Sequence, residues 1–168
     1  MNVTTGKTRT SIAAALVVAA GILLAACGSS GTDDTATSPS AVGGPGDPGK
    51  ATRTVEIRAG DDLRFQPDSV AVKVGETITF RLVNVATVEH DFTLGDEAAQ
   101  VAHEKEMQQM SGDAAHMHDM GDSANAIHVA PGSTKEITWS FTKAGSLLYG
   151  CHEPGHYASG MKGTITIT

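Results

Sequence analysis

Strict alternation is the feature that most restricts how this chain can fold. From Ala51 onward, large apolar residues recur at every second position: Val55 and Ile57; Val70, Val72 and Val74; Ile78, Phe80 and Leu82; Ile137, Trp139 and Phe141; Ile165 and Ile167. Only an extended strand puts alternate residues on one face, and β-branched side chains suit a pleated, half-buried surface. Turn-forming pairs at Gly75-Glu76, Pro131-Gly132 and Ala144-Gly145 cut the pattern into short pieces. Several short strands in succession predict an all-β sandwich over residues 51–168. Aromatic residues are only 4% of the chain, so the core is expected to rest mainly on Val, Ile, Leu and Ala. No glycine-rich phosphate loop and no internal repeat is present.

An insert at about residues 95–127 breaks the alternation. Residues 96–110 are good helix formers and predict a short helix; residues 111–125 are mostly Gly, Asp, Ser, Ala, His and Met and read as loop. Seven carboxylates stand there against Lys105 alone. The insert also carries His103, Met107, Met110, His116, Met117, His118 and Met120. His103, Met107 and Met110 fall on one helix face, where a small apolar stripe packing on the sandwich would explain them. His116-Met117-His118-Asp119-Met120 has little to pack against, and its imidazole and thioether groups suit transient copper capture. Together the seven residues form a candidate second copper site.

The first 50 residues have a different character. Lys7 and Arg9 precede an uncharged apolar run at residues 12–26. About 15 residues is short of the roughly 20 that a membrane-spanning helix needs, and a basic start with a short apolar run predicts a secretory signal. The run ends Leu24-Ala25-Ala26-Cys27-Gly28, which resembles the bacterial lipobox. That resemblance implies cleavage of residues 1–26 and lipidation of Cys27; plain cleavage beside an incidental cysteine is the alternative. Residues 27–50 are small and polar, and read as a disordered tether. The expected place is therefore extracytoplasmic: the periplasm or the outer face of a cell membrane, held there by lipid.

The sequence holds two cysteines. With Cys27 lipidated, Cys151 has no partner in an oxidising compartment, and such a leftover cysteine is a reactive thiol or a metal ligand. A Cys27–Cys151 disulfide would tie a flexible leader to the core and is the weaker reading. Around Cys151 the chain reads Tyr149-Gly-Cys151-His152-Glu-Pro154-Gly155-His156-Tyr-Ala-Ser-Gly160-Met161. Pro154-Gly155 and Gly160 let this loop fold back, so that Cys151, His156 and Met161 converge. His90 stands in a strand pattern at residues 88–94, and a sandwich would bring it alongside. Thiolate and thioether are soft donors, imidazole suits both copper states, and His₂Cys with a long axial Met describes a blue-copper electron-transfer site. Structural zinc has little use for a thioether. His152, beside Cys151 on extended backbone, is expected to point away from the metal. His128, just before a turn, reads as structural or solvated.

Residues 51–168 resemble the cupredoxins, the plastocyanin and azurin family. The resemblance runs through Phe65-Gln-Pro67-Asp-Ser-Val70-Ala-Val72-Lys-Val-Gly75-Glu-Thr-Ile78-Thr-Phe80, through Asn84 to His90, and through Cys-x₄-His-x₄-Met at 151, 156 and 161, a spacing similar to that of auracyanins and rusticyanin. It implies an eight-stranded Greek-key β-sandwich and one type 1 copper bound by His90, Cys151, His156 and Met161, with both histidines bound through Nδ1. Two departures stand out. Asp91 occupies a place where the family often has asparagine, and the insert is longer than most members carry. The insert resembles the His- and Met-bearing segment of some periplasmic cupredoxins linked to copper tolerance.

Four protein ligands leave no open position, which favours a carrier of single electrons over an enzyme. A binuclear centre needs a second nearby cysteine, and Gly150 stands where multicopper oxidases have a histidine. The net charge is −7, about −9 once Lys7 and Arg9 are removed. Such a surface excludes nucleic acid and suits a basic redox partner protein. A monomer is expected. Copper handling through the insert is the alternative function.

Overall fold

The computed structural model describes residues 40–110 and 121–168, with Met110 described in its backbone only. The predicted signal, Cys27 with its lipidation, most of the tether, and residues 111–120 with His116, Met117, His118 and Met120 lie outside the described residues.

Ten strands and one α-helix make up the described domain: β1 (Gly43–Pro45), β2 (Arg53–Ala59), β3 (Phe65–Gln66), β4 (Ser69–Val72), β5 (Thr77–Asn84), β6 (His90–Gly95), α1 (Glu97–Met110), β7 (Ala126–Val129), β8 (Thr134–Phe141), β9 (Gly145–Gly150) and β10 (Lys162–Ile167). They form two five-stranded sheets, ordered β1-β8-β5-β2-β3 and β4-β10-β9-β6-β7. The expected all-β sandwich is what the chain folds into. Two parallel pairings, β2 with β5 and β4 with β10, connect strands distant in sequence.

Alternation sets the register. In β2, β5, β8 and β10 the apolar positions Ile57, Phe80, Leu82, Trp139, Phe141, Ile165 and Ile167 all face inward. Full burial of each such side chain contributes roughly 1.5–3 kcal/mol. Val74 departs from the expected alternation: β4 ends at Val72, and Val74 is exposed. The core is also more aromatic than the composition suggests. All four Phe, the Trp and Tyr149 are buried. Phe92 is the hub, with ring centroids 5.7 Å from Phe65, 5.8 Å from Phe80 and 5.1 Å from Tyr149. Offset and edge-on contacts like these add to simple burial.

Three expected boundaries shift. The strand count is ten and not eight, with β1 and β3 both very short. The tether ends earlier than residue 50, because Gly43 to Pro45 pairs antiparallel with Trp139 to Phe141. A Gly-Gly-Pro stretch gives no side-chain signal for a strand; the pairing is made by the backbone. The insert is narrower than 95–127, because β6 continues through Gly95 and β7 begins at Ala126.

The helix forms where it was predicted. Asp96 caps it, its Oδ1 accepting the Ala99 N–H at 2.9 Å. It packs on the outer face of β6 and β9. Gln100, fully buried, anchors it by donating through Nε2 to the Thr93 carbonyl at 2.8 Å and more loosely to that of Leu148 at 3.3 Å. Met107 is buried, as a packing stripe requires.

Candidate metal centre

One end of the β4-β10-β9-β6-β7 sheet collects the expected ligands. His90 is the first residue of β6, where it pairs with Val129 of β7. Asn84, the last residue of β5, fixes the connection into it. Its Nδ2 donates to the carbonyls of Val88 and Val129 at 2.9 and 2.8 Å, and its Oδ1 accepts from the Ala86 amide at 2.9 Å. Asn84 is 1% exposed, and three well-made bonds offset the cost of burying its amide. Asp61 holds the same connection from outside, accepting from the Thr87 amide and hydroxyl.

Cys151 follows β9 directly, and the loop from Cys151 to Met161 closes on itself. The Cys151 amide donates to the Met161 carbonyl at 3.1 Å, and the Met161 amide to the His156 carbonyl at 3.0 Å. Gly155 and Gly160 take left-handed backbone conformations, φ +82° and +91°, that side chains rarely adopt. The Arg64 guanidinium reaches across to the Ser159 carbonyl at 2.8 Å.

These constraints bring three donor atoms together. Nδ1 of His90 lies 3.2 Å from Nδ1 of His156; Sγ of Cys151 lies 3.6 Å from the first and 3.3 Å from the second. Atoms bound to one ion at about 2.0–2.3 Å stand at such separations. Met161, the fourth expected residue, is fully buried at the end of the same loop. Of the four, His156 alone is partly exposed. Burial holds His90 and His156 below the ordinary histidine range, with the His156 charge adding to the effect on His90. Burial pushes the Cys151 thiol well up, and the Asp91 charge pushes it further. A thiol pushed up in this way has to give up its proton when a metal binds. The donor set of one sulfur and two imidazole nitrogens, with Met161 buried at the end of the same loop, fits copper.

The sequence did not reveal the side of the site that faces the helix. His152 points away from the metal, as its place on extended backbone requires, but it is 1% exposed. Its Nε2–H donates to Gln100 Oε1 at 2.6 Å, and Nδ1 meets Glu104 Oε2 at 2.9 Å. Its ring stacks on Tyr157 at 4.6 Å and meets His103 edge-on at 4.8 Å. Both Asp91 oxygens accept the His152 amide. Gln100 and Glu104, on the predicted helix, thus steady the residue next to the thiol. Gly150 has a local reason to be glycine, since a Cβ there would lie 2.6 Å from Tyr157 Cε2 and 2.8 Å from Gln100 Oε1. His128 is half-buried on β7, in register with Asp91. Of the candidate second site, the structure places His103 and Met107 on α1; the Met110 side chain and the four residues in 111–120 are not described.

The profile of the copper binding proteins, plastocyanin/azurin family, matches residues 51–168. The chain is 43% identical over 125 residues to the copper-resistant cuproprotein CopI of Rubrivivax gelatinosus, covering 74% of this chain and 72% of that protein. It is 31% identical to auracyanin-A of Chloroflexus aurantiacus, over 91% of this chain and 93% of that one. The crystal structure of dithionite-reduced auracyanin from Roseiflexus castenholzii superposes with a TM-score of 0.57 at 26% identity, covering 70% of this chain and 98% of that one. With its sandwich, its buried sulfur and imidazole donors and these relatives, the chain belongs to the plastocyanin/azurin family of copper-binding proteins.

Proposed function

We propose that the domain holds one copper ion through His90, Cys151, His156 and Met161, and passes single electrons between partner proteins outside the cytoplasm. The observation that carries this reading is the convergence of Cys151 Sγ and two Nδ1 atoms within 3.2–3.6 Å of one another. The backbone bonds of the loop and the Asn84 and Asp91 contacts fix the donors before any metal arrives. A preorganised site changes little between oxidation states, which suits fast electron exchange and leaves no position for a substrate. His156, the partly exposed ligand, is the natural exit, and Val85 and Val88 are exposed on the connection leading into His90. The leader with its lipobox-like end supports an extracytoplasmic, lipid-held location, and the net charge of −7 suits a basic partner. Copper titration of the protein tests the reading. An intense visible sulfur-to-copper absorption and a reversible redox wave are expected, both lost in C151S. A colourless copper(II) complex of the reduced-thiol protein would overturn it.

A second reading is copper tolerance, favoured by the 43% identity to a copper-resistant cuproprotein. It predicts that cells lacking this protein grow less well in copper, and that a form without residues 96–125 restores growth only in part. Full restoration by that form would remove the insert from this role.

A further inference from the structure

A second convergence of donor groups shares no residue with the primary centre. Glu89, His128 and Glu153 each present one ligand atom, and these three atoms lie within 4.8 Å of one another. They come from three separate parts of the chain: Glu89 precedes β6, His128 stands in β7, and Glu153 belongs to the loop between β9 and β10. Pairing brings the first two together. Asp91 is directly opposite His128, and Glu89, two residues before Asp91, is a diagonal neighbour on the same face. The third arrives through the copper loop, because Asp91 holds the amide of His152 and Glu153 follows it.

All three residues are half-buried. Two carboxylates this close repel, more strongly where solvent is partly excluded. His128 does not offset that repulsion as an imidazolium: burial holds its ring below the ordinary histidine range, against the pull of Glu89 and Asp122. Lys135, which also acts on His128, is held by both oxygens of Asp122 at 2.9 Å. The trio therefore combines two carboxylates with a neutral imidazole, a formal charge that a divalent ion balances. The donors are borderline nitrogen and hard oxygen, with no sulfur. Such a set suits zinc or copper(II), whereas calcium and magnesium take oxygen ligands and copper(I) prefers sulfur.

We propose that Glu89, His128 and Glu153 form a divalent-cation site for zinc or copper(II), beside the primary copper and separate from it. Three protein ligands leave room for water on the ion, as in open zinc sites. An ion there would tie the β6–β7 pair to the copper loop, reinforcing the link that Asp91 makes to His152. The site rests on neither the electron-transfer reading nor the tolerance reading.

The test is a zinc titration of the copper-loaded whole protein, with bound metal counted after dialysis. The wild type is expected to retain one zinc in addition to its copper. H128Q and the double variant E89Q/E153Q should each bind that zinc about 10–100-fold more weakly, since even a partner behind a ligand is worth that much. Near-ultraviolet circular dichroism reports that the variants fold. Wild-type protein that takes up no zinc beyond its copper would overturn the proposal, as would equal zinc binding by the wild type and both variants. So would a zinc that is lost in H116A/H118A and kept in H128Q, which would place the ion in the insert. The readout is the difference between wild type and variants. A colourless primary site, which would overturn the electron-transfer reading, leaves that difference measurable, so the two failures are distinct.

Discussion

Asp91 accepts the backbone N–H of His152 on both carboxylate oxygens, each at 2.9 Å, in a place closed to solvent. This contact joins the start of β6, next to His90, to the strand end next to Cys151. Burial pushes the Asp91 carboxyl well up, while the His152 amide pulls it partly back. D91A should leave a buried amide without an acceptor and cost about 1–3 kcal/mol of stability. D91N keeps one acceptor oxygen and should recover most of that. Thermal unfolding of the metal-free forms measures both; equal losses in the two variants would show that the acceptor is not what matters.

Gly150 tests how tightly α1 is coupled to the copper loop. The Cβ of G150A would have to displace Tyr157 or Gln100, because it approaches their atoms to 2.6 and 2.8 Å. Overpacking of this kind costs about 1–3 kcal/mol. Hydrogen exchange should quicken across residues 97–107 and the copper loop and stay unchanged in β2 and β5. Uniform quickening throughout would mean that the helix is not a separate, loosely held unit.

Met161 should set the potential without holding the fold. M161L keeps an apolar side chain of similar volume, at a cost below about 1.5 kcal/mol. It replaces a candidate axial donor by hydrocarbon, and the more apolar surroundings disfavour the more highly charged oxidised ion, so the reduction potential should rise. M161Q offers a harder oxygen donor and should lower it. Voltammetry of the two variants gives the signs; shifts in the same direction would argue against Met161 as a donor.

The metal-free protein should lose stability in acid through His128. Burial depresses its folded value below 6.5, although Glu89 and Asp122 oppose this. The neutral ring is therefore fully accommodated above pH 6.5, and that stability is lost as pH falls through the lower folded value. H128Q should flatten this part of the profile of unfolding free energy against pH. E89Q should lower the His128 value further, because it removes an opposing charge; proton resonance of the imidazole in the metal-free protein reads this directly.

Much of the fold, and the convergence of His90, Cys151 and His156, was legible because both rest on side-chain identity. Alternating Val, Ile and Phe can serve one face of a strand and little else, and an imidazole, a thiol, a second imidazole and a thioether in that order have few other uses. What the sequence did not display rests on the backbone or on distant pairing. β1 is a Gly-Gly-Pro stretch whose only contribution to pairing is its backbone. The aromatic hub is invisible in a count of rings, since what matters is that Phe65, Phe80, Phe92, Phe141 and Tyr149 face one another. Asn84 looks like any polar residue at a strand end until its three bonds are seen. The seat of His152 is formed by Gln100 and Glu104, some fifty residues away, and spacing gives no hint of it.

The short strand at Gly43 to Pro45 also has a mechanical meaning. Among the described strands it pairs with β8 alone, in the sheet that holds none of His90, Cys151 and His156. A pull on the upstream chain would therefore load three residue pairs at the edge of that sheet. Those pairs would shear first, like a breakaway link, before any force crossed the aromatic core. A disturbance arriving from before Gly43 would be damped in the same way, and His90, Cys151 and His156 would keep their spacing.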